Sequence, residues 1–253
     1  MDLADSWEAQ ARQWIRWARQ PGHDSYWRHH RDQFLRLVPP PGRRTVDIGC
    51  GEGRLTRHLQ GLGHRVTGID ASPSLVAAAR EADPAMDVRL ADAAALPLED
   101  AAADLAVAFM ALHDIDPMPA AVREIARVLE PGGRLCLAIV HPISSAGRFE
   151  RHAADAPFVI AGEYLRPFDY ADTVERDGLA MTFHSRHRPL EAYFRHWRRP
   201  GSWSRRCASR AFRTMPSRRR PAADGSACRC SCICAPAAPE RGGQQWVEAV
   251  GCQ

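Results

Sequence analysis

The sequence predicts an α/β fold in which a doubly wound, mostly parallel sheet carries helices on both faces. Between residues 44 and 141, five short apolar runs alternate with helical segments. Parallel strands need crossovers of this kind, and the crossovers cover the sheet. A glycine-rich loop follows directly on the first run. Such sheets bind ligands at the carboxyl ends of their strands, where the strand order reverses.

The five strands are the apolar runs themselves, each bounded by glycine or acidic turns. We place them at residues 44–49, 64–70, 86–92, 103–110 and 134–141. Four helical stretches are predicted between them, at 53–61, 73–81, 117–129 and 94–101, with a mostly loop conformation as the alternative for the last.

Two helices are predicted ahead of the sheet, at residues 6–19 and 24–38, because apolar and aromatic residues recur there at helical spacing. Ser6 and Asp24 are their N-cap candidates. The run PPPG at 39–42 ends the second helix.

The segment after the fifth strand is rich in turn formers. The stretches on either side of ERDG predict a hairpin, and a helix is expected to begin at Pro189. We therefore divide the chain into four parts: helices that cover the binding site (1–42), the ligand-binding core (43–141), a substrate lid with the start of the last helix (142–195) and an aberrant, disordered tail (196–253).

The most specific motif is VDIGCGEGR at 46–54, where a strand runs into Gly49, Gly51 and Gly53 and then into a helix. Glycines let the backbone turn tightly and let a ligand approach main-chain N–H groups. Asp70 ends the next strand, where a carboxylate can accept both hydroxyls of a ribose. The combination predicts a nucleoside-containing ligand.

A third acidic element, ADAAALP at 91–97, follows the third strand. Asp92 can accept a hydrogen bond from an exocyclic adenine amine, while Ala93 and Leu96 cover the ring. An adenosine site is therefore expected, and two kinds of ligand fit it.

The loop discriminates between a dinucleotide and a cationic adenosine derivative. Dinucleotide loops follow G-x-G-x-x-G, so that a pyrophosphate sits on the helix N-terminus. Here Gly53 comes one residue early and Arg54 stands in the place of the third glycine. Asp47 would also bring negative charge close to a pyrophosphate. A cation fits better, with an NAD(P)-dependent oxidoreductase as the alternative.

Five motifs together resemble those of class I S-adenosylmethionine-dependent methyltransferases of the small-molecule type: VDIGCGEGR, VTGIDAS, ADAAALPL, ADLAVAFMALHDI and VREIARVLEPGGRLCLAIVHP. The resemblance is close over residues 40–141 and loose over 142–195. It implies a Rossmann-like fold, S-adenosyl-L-methionine as cofactor, and methyl transfer to an O, N, S or C nucleophile of a small molecule.

The resemblance also implies a set of cofactor-binding residues: Asp47, Gly49, Gly51, Asp70, Ala71, Asp92, Ala93, Phe109 and Met110. The first three would line the methionine moiety, Asp70 the ribose, and Asp92 with Ala93 the adenine. The last two would lie beside the transferable methyl group.

Two histidines are candidates for a general base, because imidazole titrates near neutrality. His113 follows the fourth strand, where the substrate would sit, and His141 ends the fifth. The alternative for each is a histidine that only hydrogen-bonds a loop.

Composition favours a cytoplasmic protein whose partner is a small-molecule methyl acceptor, with neither nucleic acid nor a membrane as partner. No signal-peptide pattern or membrane-spanning apolar run is present. Residues 1–195 carry 23 Arg against 27 acids, whereas residues 196–253 carry 11 Arg against 3 acids. This basic tail lacks the aromatic pattern of a nucleic-acid site.

Four cysteines alternate in the tail, at positions 228, 230, 232 and 234. Their spacing lacks the C-x-x-C pairs of structural zinc sites, so no metal is expected.

The tail departs abruptly from the family's pattern. The chain contains no Lys while Arg, Ala, Gly and Pro abound, as GC-rich coding DNA produces. GC-rich codons for the segment that starts at His196, moved by two bases, encode LEAAGLVVEALREPRLPDDAVAAAP. That text is a helix end, a β-branched strand and a loop, which is the continuation that the resemblance implies. If the frame is shifted, the final antiparallel strands are expected to be missing. An inactive cofactor-binding protein is then a further alternative.

We expect the gene to carry a single-base loss near codons 195–196. Resequencing this region should give codons that encode the family-like continuation when they are read two bases further on. Upstream of codon 195, only the frame of the printed sequence should encode a family-like protein. Codons that do not yield this frame would refute the hypothesis.

Overall fold

The computed structural model describes residues 2–151, 156–160 and 162–195 in full and three further strands through their backbone. The helices are α1 Leu3–Arg19, α2 Arg31–Leu35, α3 Arg54–Gly61, α4 Pro73–Ala82, α5 Met118–Val128, α6 Ile143–Ala146 and α7 Leu190–Arg195. The strands are β1 Thr45–Ile48, β2 Val66–Asp70, β3 Asp87–Leu90, β4 Ala103–Phe109, β5 Leu129–Val140, β6 Gly147–Phe149, β7 Phe158–Ile160, β8 Phe168–Arg176, β9 Leu179–His187, β10 Cys207–Ser209, β11 Cys230–Pro236 and β12 Val247–Gly251.

The first five strands form a parallel sheet in the order β5-β4-β1-β2-β3. The order reverses between β1 and β4, so the crevice that favours ligand binding opens above these two strands. All five predicted strands are present, whereas residues 94–101 form turns and not the fourth helix, in agreement with the loop alternative. The predicted fold class is confirmed for this core.

Both faces of the central strands β1 and β4 are buried, which explains why β4 is almost continuously apolar, whereas the edge strand β3 is partly exposed. Along β4, Leu105, Val107 and Phe109 pack with Phe34 on one face. The alternate residues Ala106 and Ala108 pack on the other face, in the larger core that contains α5. Successive strand residues point to opposite faces, so a strand that is covered on both sides must be apolar at every position.

The first helix begins three residues earlier than predicted, because its cap is Asp2 and not Ser6. The Asp2 Oδ1 atom accepts the N–H of Asp5 at 2.9 Å, as an N-cap does. The Ser6 hydroxyl instead donates to the carbonyl of Asp2 at 2.9 Å.

The second predicted helix is split into a π-helical turn, Tyr26–His30, and the short helix α2. Asp24 accepts the N–H of Tyr26 at 3.0 Å and forms an ion pair with Arg54. Its carboxyl therefore ties this segment to the loop after β1.

The irregular segment after β5 contains the predicted hairpin, formed by β8 and β9. Its two turn residues, Asp177 and Gly178, have φ values of +49° and +74°. Consecutive left-handed residues are typical of a type I′ turn, whose twist matches that of the flanking strands. Helix α7 then begins directly after Pro189, as predicted. Strand β9 packs between α1 and the short turn that follows β4.

Three strands extend the sheet beyond β5. Strand β11 pairs antiparallel with β5, β12 pairs antiparallel with β11, and β10 lies parallel to β12. This differs from the expectation that the final antiparallel strands are missing. The edge of β5 presents a row of N–H and C=O groups with which another strand can pair. The cysteines of β11 recur at every second position, which is the side-chain period of a strand. The other residues of the predicted disordered tail lie outside the described residues.

Candidate functional site

A cleft opens where β1, β2, β3 and β4 reach their carboxyl ends, and α1 lies across it. Its volume is about 1150 Å³, including the solvent-filled mouth. The size suits a nucleoside-sized ligand together with a second small molecule. We refer to this space as the cleft.

The loop between β1 and α3 forms the floor of the cleft and is shaped by left-handed backbone. Gly49, Gly51 and Gly53 have φ values of +67°, +57° and +82°. A Cβ atom on Gly49 would lie 2.5 Å from the Cβ of Ala111, closer than two carbon atoms can approach. Glycine at this position is therefore required both by the backbone conformation and by the packing of the two loops.

Asp70 ends β2 and fixes the same loop. Its Oδ2 atom accepts the N–H of Gly51 at 2.8 Å, and its Oδ1 atom accepts the N–H of Ser72 at 2.9 Å. Burial raises the pKa of this carboxyl, and the two backbone hydrogen bonds oppose the rise. The carboxyl lines the cleft and has no ion-pair partner among the described residues.

Asp47 lies within β1 and is 1% exposed. Its Oδ2 atom accepts the hydroxyl of Thr56 at 2.7 Å. Burial raises the pKa of Asp47 to about 7, although this hydrogen bond favours the charged form. A cation bound nearby would stabilise the ionised carboxylate, because opposite charges interact strongly where water is excluded.

Carboxyl side chains outnumber basic side chains in the lining of the cleft. Among the described residues that line it, seven have carboxyl side chains and one is an arginine: Asp2, Asp47, Glu52, Asp70, Asp92, Asp114, Asp116 and Arg54. Glu52 is neutralised by a two-pronged contact with Arg57 at 2.8 and 2.9 Å. Arg54, the basic residue among the described lining residues, is already paired with Asp24, so the lining offers a pyrophosphate no free cation.

Arg54 is paired with Asp24 and lies among aromatic rings. Its guanidinium carbon is 4.8 Å from the ring centre of Trp14, 5.4 Å from that of Tyr26 and 5.7 Å from that of Phe109. These distances allow cation–π attraction.

The structure brings all nine residues of the predicted cofactor set to this one cleft: Asp47, Gly49, Gly51, Asp70, Ala71, Asp92, Ala93, Phe109 and Met110. They come from the ends of four strands. Their meeting follows from parallel topology, since the carboxyl ends of parallel strands share one edge of the sheet.

The two predicted general bases do not line the cleft. His113 is 6% exposed, and burial together with the nearby Arg188 lowers its pKa to about 3. An imidazole with so low a pKa is a weak base at neutral pH. The Nδ1 atom of His141 accepts the N–H of Ile143 at 3.1 Å, as in the loop-bonding alternative. The structure gives neither histidine a position to act on a ligand in the cleft.

Sequence reasoning missed two groups of the cleft wall and an aromatic ring that packs behind one of them. Asp114 and Asp116 follow the short turn after β4, and Trp7 and Trp14 extend from α1. Phe183 of β9 lies edge-on to both indoles, with ring centres 6.4 and 6.0 Å apart. The seven-residue spacing of the tryptophans on one helix could have indicated a shared face. The contact with β9 could not be read from the sequence.

Within the described part of the chain, no group of three or more His, Cys, Asp or Glu residues is arranged to hold a metal ion. Three of the alternating cysteines fall in β11, described through its backbone, and Cys228 lies outside the described residues. No helix of the described residues is long and apolar enough to cross a membrane.

The cleft residues that follow the strands fall within a region that matches known proteins, whereas those from the segment around α1 precede it. The family model described as a methyltransferase domain matches residues 46–137. The chain is 40% identical over 101 residues to an uncharacterized methyltransferase of Mycobacterium tuberculosis (strain ATCC 25618 / H37Rv), covering 40% of this chain and 41% of that protein. It is 31% identical over 164 residues to the ubiquinone biosynthesis O-methyltransferase of Xylella fastidiosa (strain 9a5c), covering 59% and 66%. The chain thus spans from about two fifths to two thirds of the length of these relatives.

A solved structure gives a similar result for the fold. An S-adenosylmethionine-dependent methyltransferase from Mesorhizobium loti superposes with a TM-score of 0.52 at 25% identity. The superposition covers 68% of this chain and 80% of the other. The likeness therefore extends beyond the five parallel strands.

Replacing Asp47 by Asn should reduce the pH dependence of stability. The pKa of Asp47 rises from 3.8 to about 7 on folding, so between these values the native state binds more protons than the unfolded chain. The free energy of unfolding therefore falls as the pH rises, by at most about 1.4 kcal/mol per pH unit. Urea unfolding at pH 4.5 to 7.5 should show a shallower fall for Asp47→Asn. The exposed control Asp172→Asn should follow the wild type, and equal slopes for all three proteins would contradict the assignment.

Proposed function

We propose that the chain is a class I S-adenosylmethionine-dependent methyltransferase that transfers a methyl group from S-adenosyl-L-methionine to a small molecule. The observation that carries the proposal is the pair of buried carboxyls, Asp47 and Asp70, beside a left-handed glycine loop. An ammonium or sulfonium group beside Asp47 and the hydroxyls of a ribose at Asp70 are the complement that these carboxyls lack.

We assign the cofactor's parts to the nine residues of the cleft as the family resemblance implies. Asp47, Gly49 and Gly51 would hold the methionine moiety. Asp70, with Ala71 beside it, would accept the ribose hydroxyls, and Asp92 with Ala93 would bind the adenine. Phe109 and Met110 would contact the reactive end. The buried, hydrogen-bonded state of Asp70 supports its part, because the loop amide and Ser72 already fix its orientation.

The cofactor, when bound, supplies an activated methyl group, and the protein supplies position and a dry environment. The indoles of Trp7 and Trp14, with Phe183 behind them, would keep water from the reacting atoms. In this proposal, residues 1–42 cover the cofactor and residues 142–195 form the lid over the acceptor.

An oxygen atom is the acceptor that we favour. The relative from Xylella fastidiosa is described as an O-methyltransferase, and its match covers 59% of this chain. The aromatic wall of the cleft suits an acceptor with an apolar or aromatic body.

The proposal is tested first by ligand choice. We expect calorimetric titration to show binding of S-adenosylhomocysteine and none of NADH, because the acidic cleft disfavours a pyrophosphate. Transfer of labelled methyl from S-adenosyl-L-methionine is then measured with a panel of small phenols, hydroxy acids and amines. Binding of NADH alone would favour the oxidoreductase. Binding of S-adenosylhomocysteine without transfer to any acceptor would favour an inactive cofactor-binding protein.

Replacing Asp70 by Asn should weaken binding of S-adenosylhomocysteine roughly 10- to 100-fold, since a hydrogen bond to a charged group contributes about 1.5–3 kcal/mol. Asn keeps an acceptor for the Gly51 amide, so the loop itself should persist. Titration of the wild type, Asp70→Asn and the exposed control Asp172→Asn measures the effect. An unchanged dissociation constant in Asp70→Asn would remove Asp70 from the ribose site.

A further inference from the structure

The cleft contains an acid that the cofactor assignment leaves unused. Asp70 and Asp92 end or follow β2 and β3, on one side of β1, whereas Asp114 follows β4 on the other side. If the adenosine lies over β2 and β3, the part of the cleft beside Asp114 is left for the acceptor. Asp114 lines the cleft, yet its side chain is only 9% exposed.

One oxygen of this carboxyl lacks a hydrogen bond. The hydroxyl of Ser185 in β9 bonds to the carboxyl group, but the Oδ1 atom has no hydrogen-bond partner among the described residues. The indole N–H of Trp7 lies near the carboxyl without reaching hydrogen-bonding geometry, and it is also unsatisfied. A buried acceptor (Asp114 Oδ1) and a buried donor (Trp7 Nε1) without hydrogen bonds destabilise the fold unless a ligand supplies the missing partners.

The charged and titratable groups around Asp114 come from three elements. Arg188, after β9, donates to the carbonyls of His113 and Ile115, both at 3.0 Å, and its charge favours the ionised carboxylate. His113 Nε2 lies 3.6 Å from Oδ1 and is neutral at pH 7 because its pKa is lowered to about 3. The hydroxyl of Tyr193 in α7 is buried and neutral, its pKa having been raised.

We propose that Asp114, in place of either histidine, binds the O–H or N–H group of the methyl acceptor through Oδ1 and takes its proton during transfer. This inference rests on the proposed function. The acceptor atom forms a bond to the methyl carbon, and the bond between that carbon and sulfur breaks with its electron pair on sulfur. The acceptor's proton passes to the ionised Asp114 carboxylate, so atoms and charge balance.

The protonation state of Asp114 gives the proposal a direct readout. Burial raises the pKa of Asp114 to about 8, and the Ser185 hydrogen bond and Arg188 oppose the rise. The free protein therefore holds this proton at pH 7. A sulfonium bound beside the carboxyl lowers its pKa, because an opposite charge favours the ionised form. Cofactor binding should then release a proton and leave the carboxylate ready to act as a base.

The experiment compares two ligands that differ in one charge. S-adenosyl-L-methionine carries the sulfonium cation and S-adenosylhomocysteine does not. Calorimetric titration at pH 7 in buffers of different ionisation enthalpy counts the protons released by each. We expect the wild type to release up to one more proton with S-adenosyl-L-methionine. Asp114→Asn should lose this difference, and the exposed control Asp172→Asn, which lies outside the cleft, should keep it.

A second measurement uses any acceptor that the wild type methylates. Asp114→Asn should lower kcat by about 10²- to 10⁴-fold, while binding of S-adenosylhomocysteine changes less than twofold. The wild-type rate should rise with pH as the carboxyl of Asp114 ionises. Asp114→Glu should recover part of the rate and also this pH dependence.

Three results would overturn the inference: no difference in proton release between the ligands, a difference that persists in Asp114→Asn and disappears in Asp47→Asn, or unchanged turnover in Asp114→Asn. Failure of the wild type to bind either ligand would instead overturn the proposed function, and the inference with it.

Discussion

The site depends on one constraint: carboxyl groups at the ends of parallel strands are buried with too few cations to balance them. Asp47 and Asp70 are held by Thr56, Gly51 and Ser72, so neither can turn toward solvent. Burial raises both pKa values, that of Asp47 to about 7, so a cation bound beside Asp47 would favour its charged form. The left-handed loop, the covering helix and the aromatic wall all serve to keep these carboxyls both dry and accessible to a ligand.

The fold and the cofactor side of the cleft were accessible from sequence because their signals are local. Each strand is a continuous apolar run, and the glycines of VDIGCGEGR mark a turn that other residues cannot adopt without strain. Parallel topology then forces residues that follow different strands to meet at one edge. Asp70 and Asp92 could thus be placed together although 22 residues separate them.

The acceptor side could not be predicted in the same way, because it depends on long-range packing. In the proposed role, the preference for Asp114 over its neighbour His113 rests on the orientation of a short turn and on the approach of β9, which lies about 70 residues later in the sequence. Residue type favoured histidine, since imidazole titrates near neutrality, but burial removes that advantage and raises the pKa of the carboxyl instead. The cap of α1 was missed for a simpler reason: a better-placed aspartate precedes the serine.

Arg54 has a consequence for the state without ligand. Its guanidinium lies among the rings of Trp14 and Phe109, both of which line the cleft, and it is the sole basic side chain among the described lining residues. The cleft therefore carries a fixed positive charge that is already paired with Asp24, an acid outside its lining. In the proposed function, a cationic ligand would bring a second positive group to the carboxyls and the aromatic rings. It would lie beside the Arg54 guanidinium, which Asp24 holds in place.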